Sequence, residues 1–245
     1  DNLINELIKL ENQYPEFQDQ NSPSRRVGGG LSDKFNSESH IFQMYSLDNT
    51  YSDTELETWF NRIVKLIQVD DFEFCCELKY DGASVNLLYE DGQLVRALTR
   101  GDGYQGDNIT NNLKTINSVP LKLKNKFFPN KFEIRGEIII PSDAFNSLNE
   151  KRKQIGLPLF MNPRNTASGS IKLLDSKEVA RRPLECFLYS VVSNDININN
   201  HSELLDSARN MGFNVPNYEK VVKGLDAVKK SVSYTHLTLP TSHNV

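Results

Sequence analysis

Two strand-forming runs, Ser84 to Tyr89 and Gln93 to Thr99, flank the pair Asp91-Gly92, and this arrangement constrains the chain's fold more than any other stretch of it. Asp-Gly is the pair that a tight hairpin turn needs, because the backbone there takes positive φ at both central positions. Two adjacent antiparallel strands are thereby placed, with alternate side chains facing opposite sides. Phe72 to Tyr80, Phe132 to Ile140 and Leu184 to Val192 read as further strands. Helical periodicity intervenes in several places. Ser52-Asp53-Thr54-Glu55 has capping-box spacing ahead of Leu56, Trp59, Phe60, Ile63, Val64 and Ile67. Ser142 to Ile155 and Ser202 to Met211 are helices closed by Gly156 and Gly212, and Thr166 to Leu174 is a shorter one. Strands joined by hairpins, with helices between them but no regular βαβ alternation, imply an α+β fold of mainly antiparallel sheets flanked by helices.

At the N-terminus Leu3, Ile4, Leu7, Ile8 and Leu10 fall at helical spacing until Pro15 stops the pattern. The sequence opens inside this helix, so a natural beginning further upstream is expected. From Gln18 to Ser39 the chain turns polar around Gly28-Gly29-Gly30 and reads as a linker. At the other end, Val232 to Thr241 resembles the translation of a transposase-end sequencing adapter, and residues 232–245 are expected to be a non-native tail.

With 28 Lys+Arg against 32 Asp+Glu the chain is not basic overall, which leaves nucleic-acid binding to a local patch. Its 3 cysteines, two of them adjacent, fit neither a disulfide framework nor a four-ligand zinc set, and a reducing, cytoplasmic setting follows. No apolar run approaches membrane-spanning length, and no metal-ligand spacing surrounds His40 or His201.

The chemistry-bearing stretch is Cys76-Glu77-Leu78-Lys79-Tyr80-Asp81-Gly82. On a strand, Glu77, Lys79 and Asp81 share one face, as either an ion-pair ladder or a site, and spacing alone does not separate the two. Thr99-Arg100-Gly101-Asp102-Gly103 puts an arginine before a glycine-rich loop whose N–H groups can approach a phosphate. Arg135-Gly136-Glu137 interrupts a β-rich run with opposite charges, as an internal pair or as part of a site. Asn162-Pro163-Arg164-Asn165 leads towards Lys172 and can present a helix N-terminus to a phosphate, or act as a plain cap.

Together with Ser46-Leu47-Asp48-Asn49, these stretches resemble the adenylation (nucleotidyltransferase) domain of bacterial NAD-dependent DNA ligases, in register from Asp1 to about Ser231. The resemblance implies Lys79 as the nucleophile that receives AMP from NAD, with Asp81 as the carboxylate beside it. It implies Ser46, Leu47, Glu77, Arg100 and Glu137 as nucleotide contacts, and Asp1 as the end of a nicotinamide-gripping motif. Arg164 and Lys172 are implied as contacts to DNA phosphates. The implied layout is a truncated helical nicotinamide-binding segment and linker over 1–36, then a C-terminally incomplete adenylation domain over 37–231. The implied reaction seals 5′-phosphate/3′-hydroxyl nicks in duplex DNA during replication and repair, through lysyl-AMP and adenylylated DNA. Mg²⁺ is the implied metal, zinc belonging to a region beyond this chain, and the protein is expected to be a monomer.

Two rival readings stand beside this one: an ATP- or GTP-dependent ligase or capping enzyme, and a non-catalytic DNA-binding module. The family's upstream tyrosine, histidine and aspartate, its later lysine-bearing motifs and its C-terminal modules are not in this sequence, so the chain alone is expected to be impaired. An ordinary lysine titrates near 10.4, so a neutral amine at pH 7.4 costs roughly 4 kcal/mol. Carboxylates on the same face oppose that deprotonation, and bound Mg²⁺ is expected to offset them.

Overall fold

The computed structural model describes residues 2–19, 21–26, 34–69, 72–124, 128–198 and 200–238, with only the backbone of residue 2 and of 232–238. In chain order it begins with α1, Asn2–Gln13, after which Pro15 starts a single 3-10 turn. The segment read as a linker carries structure where it is described. Pro23–Arg25 forms a second 3-10 turn, and Arg26 donates to the carbonyls of Lys114, Ile116 and Val119 at 3.1–3.2 Å. Strand β1, Ser37–Ser39, follows. The triple-glycine run lies outside the described residues.

Helix α2, Asp53–Ile67, starts where its cap predicts, with Ser52 Oγ accepting from the Glu55 N–H at 3.2 Å. Strand β2, Glu73–Cys76, is shorter than the run from Phe72 to Tyr80 suggests. Then come β3, Ala83–Glu90, and β4, Gln93–Thr99, joined by Asp91 (φ 47°) and Gly92 (φ 73°) as the hairpin demands. Strand β5, Gln105–Asp107, and the single-turn α3, Thr110–Leu113, precede β6, Lys131–Ile139. Helix α4 covers Ser142–Gln154 and α5 Pro163–Ile171. Short α6, Ser176–Ala180, leads to β7, Glu185–Val192. Helix α7, His201–Met211, ends on Gly212 at φ 96°, and β8, Lys220–Lys223, and α8, Leu225–Thr238, complete the chain. The mixture of helices with antiparallel sheets is the α+β architecture expected. No helix among the described residues is long and apolar enough to cross a membrane.

The chain divides into two compact units, Asp1–Met44 with Tyr80–Val215, and Tyr45–Lys79 with Pro216–Val245. The larger unit is built on an antiparallel sheet of order β4-β3-β6-β7. Register puts Val85, Leu87 and Tyr89 opposite Gly136, Ile134 and Phe132 on one face. That face holds the core: Tyr89 stacks on Phe132 at 5.4 Å, Phe213 meets both edge-on, and the Tyr89 hydroxyl donates to the Pro120 carbonyl. Burying side chains of this size supplies roughly 1.5–3 kcal/mol each.

The opposite face carries Asn86, Arg96, Glu133 and Arg135 alongside apolar Leu88 and Leu98, and a strap formed by β1 and residues 40–44 lies over it. Arg96 pairs with Glu38 at 2.9 Å. Buried Glu133 accepts from the N–H groups of Ile41 and Phe42 at 3.0 and 3.2 Å. Arg135 donates to the carbonyls of Phe42 and Gln43 at 3.2 and 2.8 Å. The smaller unit pairs β2 with β8 and gathers Trp59, Phe60, Phe72 and Phe74 into a cluster with ring centroids 4.8–5.8 Å apart.

Candidate functional site

The stretch at 77–82 is not the strand its composition suggests. Strand β8 begins at Lys220, opposite Cys76, so the ladder ends there and Glu77 to Asp81 continue as irregular backbone. No ladder bond fixes these side chains, yet exposed Glu77, Lys79 and Asp81 still alternate with half-buried Leu78 and Tyr80. Glu77 and Lys79 are exposed and close the first segment of the smaller unit, while Asp81 belongs to the larger one. Ser46 and Leu47 are also in the smaller unit and exposed, Leu47 at 75%. Asp1 lies outside the described residues.

In the larger unit, Arg100, Arg164 and Lys172 line one cleft of about 660 Å³ together with Gly82, Ser84 and the glycine loop after β4. The loop is shaped by its own backbone. Gly101 and Gly103 take φ of 56° and 93°, and a Cβ on Gly106 would stand 1.7 Å from the Thr99 carbonyl oxygen. Asp102 closes the loop by accepting from the N–H groups of Gln105 and Tyr104, both at 2.9 Å. Those two bonds hold its carboxyl below the usual carboxylate range.

Arg164 sits in the first turn of α5, and this helix starts earlier than Thr166 because Asn162 caps it, accepting from the Asn165 N–H at 3.2 Å, with Pro163 in the first turn. Arg164 Nη1 lies 3.2 Å from Asp81 Oδ1, and Lys172 Nζ lies 2.7 Å from Asp107 Oδ2. The Arg164–Asp81 pair is well exposed and the Lys172–Asp107 pair partly so, so each contributes little to stability and a more highly charged anion can displace the carboxylate. Three cations beside a glycine loop and a helix N-terminus suit phosphate groups.

Glu137 reaches the same cleft through Ser84, whose hydroxyl donates to its Oε2 at 2.8 Å. Gly136 before it has no room for a side chain, since a Cβ would lie 2.6 Å from both Leu188 Cδ2 and the Phe187 carbonyl oxygen. Tyr189 belongs to this cluster and went unnoticed in the sequence, where it is one residue of an apolar run. Burial first, then the Glu137 carboxylate, push its phenol up to about 12. Register would have exposed it only to a reader who knew which strand flanks β6.

Comparison with known proteins decides what this arrangement belongs to. Residues 32–238 match the family model described as the NAD-dependent DNA ligase adenylation domain, and residues 1–28 match that of the DNA ligase-like, N-terminal NAD+-binding domain. The chain belongs to the NAD-dependent DNA ligase adenylation family. It is 51% identical to DNA ligases of Flavobacterium johnsoniae and Christiangramia forsetii over 231 residues, 94% of this chain. It is 46% identical to that of Phocaeicola vulgatus over 234 residues. The chain spans about a third of the length of these ligases, 34–35%. Within this ligase family chain, then, Arg100, Arg164 and Lys172 line a cleft of a single unit, directly after β4, in α5 and directly after α5, and Glu137 of β6 bonds Ser84 of its wall.

Proposed function

We propose that this chain is the adenylation module of a DNA ligase that uses NAD to seal 5′-phosphate/3′-hydroxyl nicks in duplex DNA during replication and repair. The observation that carries the reading is the cleft lined by Arg100, Arg164, Lys172 and Ser84, with Glu137 behind Ser84 and bonded to it. Its donor set fits a dinucleotide. Arg100 and the loop amides suit the diphosphate, and Glu137, an acceptor already held by Ser84, suits sugar or base N–H and O–H groups. In this reading NAD supplies an activated adenylyl group with a good leaving group.

Lys79 is the nucleophile in this proposal: its Nζ loses a proton to solvent and bonds the α-phosphorus of NAD, whose bond to the bridging oxygen breaks as nicotinamide mononucleotide leaves, with Asp81 as the neighbouring carboxylate. Ser46, Leu47 and Glu77 are nucleotide contacts in this reading, and Asp1 grips the nicotinamide half. Arg164 and Lys172 exchange their carboxylate partners for DNA phosphates. We place Mg²⁺ on the substrate's phosphates, where it neutralises charge, with no protein ligand assigned. We assign residues 1–36 to a nicotinamide-binding segment and linker, 37–231 to the adenylation domain and 232–245 to a non-native tail. Cys75, Cys76 and Cys186 are not disulfide-bonded, which fits the cytoplasmic setting we propose, and we take the protein as a monomer.

The test is the intact mass of the chain after incubation with NAD and Mg²⁺, beside a sample given ATP and a Lys79→Ala variant. A gain of one AMP with NAD and not with ATP, in partial yield as befits an impaired chain and lost in the variant, is the expected result. Adduct in Lys79→Ala, or with ATP in place of NAD, overturns it.

A further inference from the structure

Between the strap and the cleft loop stands His40, a residue the chemistry above leaves unused. Its Nε2 lies 3.1 Å from the Arg100 carbonyl oxygen and its Nδ1 3.1 Å from Asn86 Nδ2. A carbonyl only accepts, so the ring nitrogen facing Arg100 carries the hydrogen, whichever way the Asn86 amide is turned. Asn86 is 2% exposed, on the face of β3 under the strap, which makes the far end of the bridge a fixed point of the sheet. The Arg100 carbonyl uses both its lone pairs, one for His40 and one for the Gly103 N–H at 3.0 Å that closes the turn. On either side of the imidazole the strap backbone clasps the same loop: the His40 N–H donates to the Tyr104 carbonyl and the Met44 N–H to that of Gly103, both at 2.9 Å. Arg100 thus leaves β4 with its carbonyl tied towards the strap, while its side chain lines the cleft.

We propose that His40 is a positioning residue: by bridging buried Asn86 and the Arg100 carbonyl it fixes the glycine loop, and through that loop it sets how well Arg100 holds the phosphates of the nucleotide. The second half rests on the assignment of Arg100 to NAD made above. A side chain that merely filled space would not need a donor at the Nε2 position. Glutamine puts an amide N–H near that position, and alanine removes it.

Hydrogen exchange of the Gly103 and Met44 amides, together with NAD binding by calorimetry, tests this in the full chain. The variants are His40→Ala, His40→Gln, Arg100→Ala and His40→Ala/Arg100→Ala. His40→Ala is expected to speed exchange at both amides at least tenfold while Leu87 and Ile134 keep their protection, and His40→Gln to return it to within about threefold of the parent. His40→Ala is expected to weaken NAD binding about tenfold, and to add nothing in the Arg100→Ala background. Unchanged loop exchange in His40→Ala, or no recovery in His40→Gln, overturns the bridge itself. Equal losses of NAD affinity with and without Arg100 overturn its action through Arg100. Arg100→Ala binding NAD as tightly as the parent overturns the assignment of Arg100, and with it the second half alone. Lost protection at Leu87 marks an unfolded variant, and the comparison of His40→Gln with the parent then decides, unequal loop exchange overturning the bridge.

Discussion

Gly82 follows Asp81 with a backbone that any residue could adopt, and the constraint on it is purely spatial: a Cβ there would stand 2.1 Å from the Ile138 carbonyl oxygen of β6. Backbone cannot yield as a flexible side chain can. Gly82→Ala is therefore expected to destabilise the larger unit by about 3 kcal/mol, lowering its thermal midpoint by roughly 6–12 °C; a midpoint within about 2 °C of the parent would show that β3 and β6 separate easily at their ends. Tyr189 offers a second reading at this scale. Its phenol is pushed up to about 12, so the folded state keeps a proton that the unfolded chain releases near 10. The unfolded state then binds fewer protons, and stability is expected to fall as pH rises through 10 towards 12. Glu137→Gln removes one of the two larger causes and should bring the Tyr189 transition down, measured as the ultraviolet difference between parent and Tyr189→Phe; an unmoved transition would leave burial as its sole source. Neither residue stood out in the sequence. Gly82 reads there only as the end of the stretch from Cys76, and its true constraint comes from a strand more than 50 residues away.

At the scale of elements, α5 carries Arg164 near its start and is followed directly by Lys172, so one short helix aims both cations at the cleft. If they meet DNA phosphates, each contributes one released counterion. Arg164→Ala and Lys172→Ala should each flatten the dependence of log K on log salt by about 0.9 for a nicked duplex, with equal effect across sequences. An unchanged slope would remove that residue from the DNA contact. Asn162→Ala, which deletes the cap, should cost about 1 kcal/mol and leave the slope unaltered. Elements of this kind were legible wherever their signals are local. The Asp91-Gly92 hairpin, the Ser52 cap and the closing Gly212 all stand where spacing put them. What escaped is what distant pairing decides. Strand β2 ends at Cys76 because its partner starts at Lys220, and β1 and β5 exist because Ser37 to Ser39 find Gln105 to Asp107. The cleft follows the same division. Arg100, Glu137, Arg164 and Lys172 were legible as residues, but Ser84, Tyr189 and the His40 bridge become visible only once the sheet register is known.

For the molecule as a whole, burial is unevenly shared. The sheet of the larger unit has side chains such as Leu87, Tyr89, Ile134 and Leu188 at 0% exposure, whereas Val228 at 7% is the sole buried apolar residue of the smaller unit among those described. The aromatic cluster around Trp59 is only half-buried. Its two-stranded sheet adds little, since an isolated pair of strands is marginal in water. Each buried side chain the smaller unit lacks forgoes roughly 1.5–3 kcal/mol, so its opening should require less free energy than that of the larger unit. The chain has a single tryptophan, and it lies in the smaller unit. Emission excited at 295 nm therefore reports that unit alone, while amide exchange at Leu87 and Ile134 reports the other. In a guanidinium titration the Trp59 signal is expected to change at a denaturant concentration below that at which those amides lose protection. Two-state unfolding would make the two transitions coincide, and coincidence would mean that the irregular backbone after Cys76, which carries Lys79, opens only when the whole chain unfolds, despite the smaller unit's thin core. Separation would mean that the backbone on the two sides of the Lys79–Tyr80 peptide has different local stability, so that Lys79 can lose its structure while Asp81, Arg100 and Glu137 keep theirs.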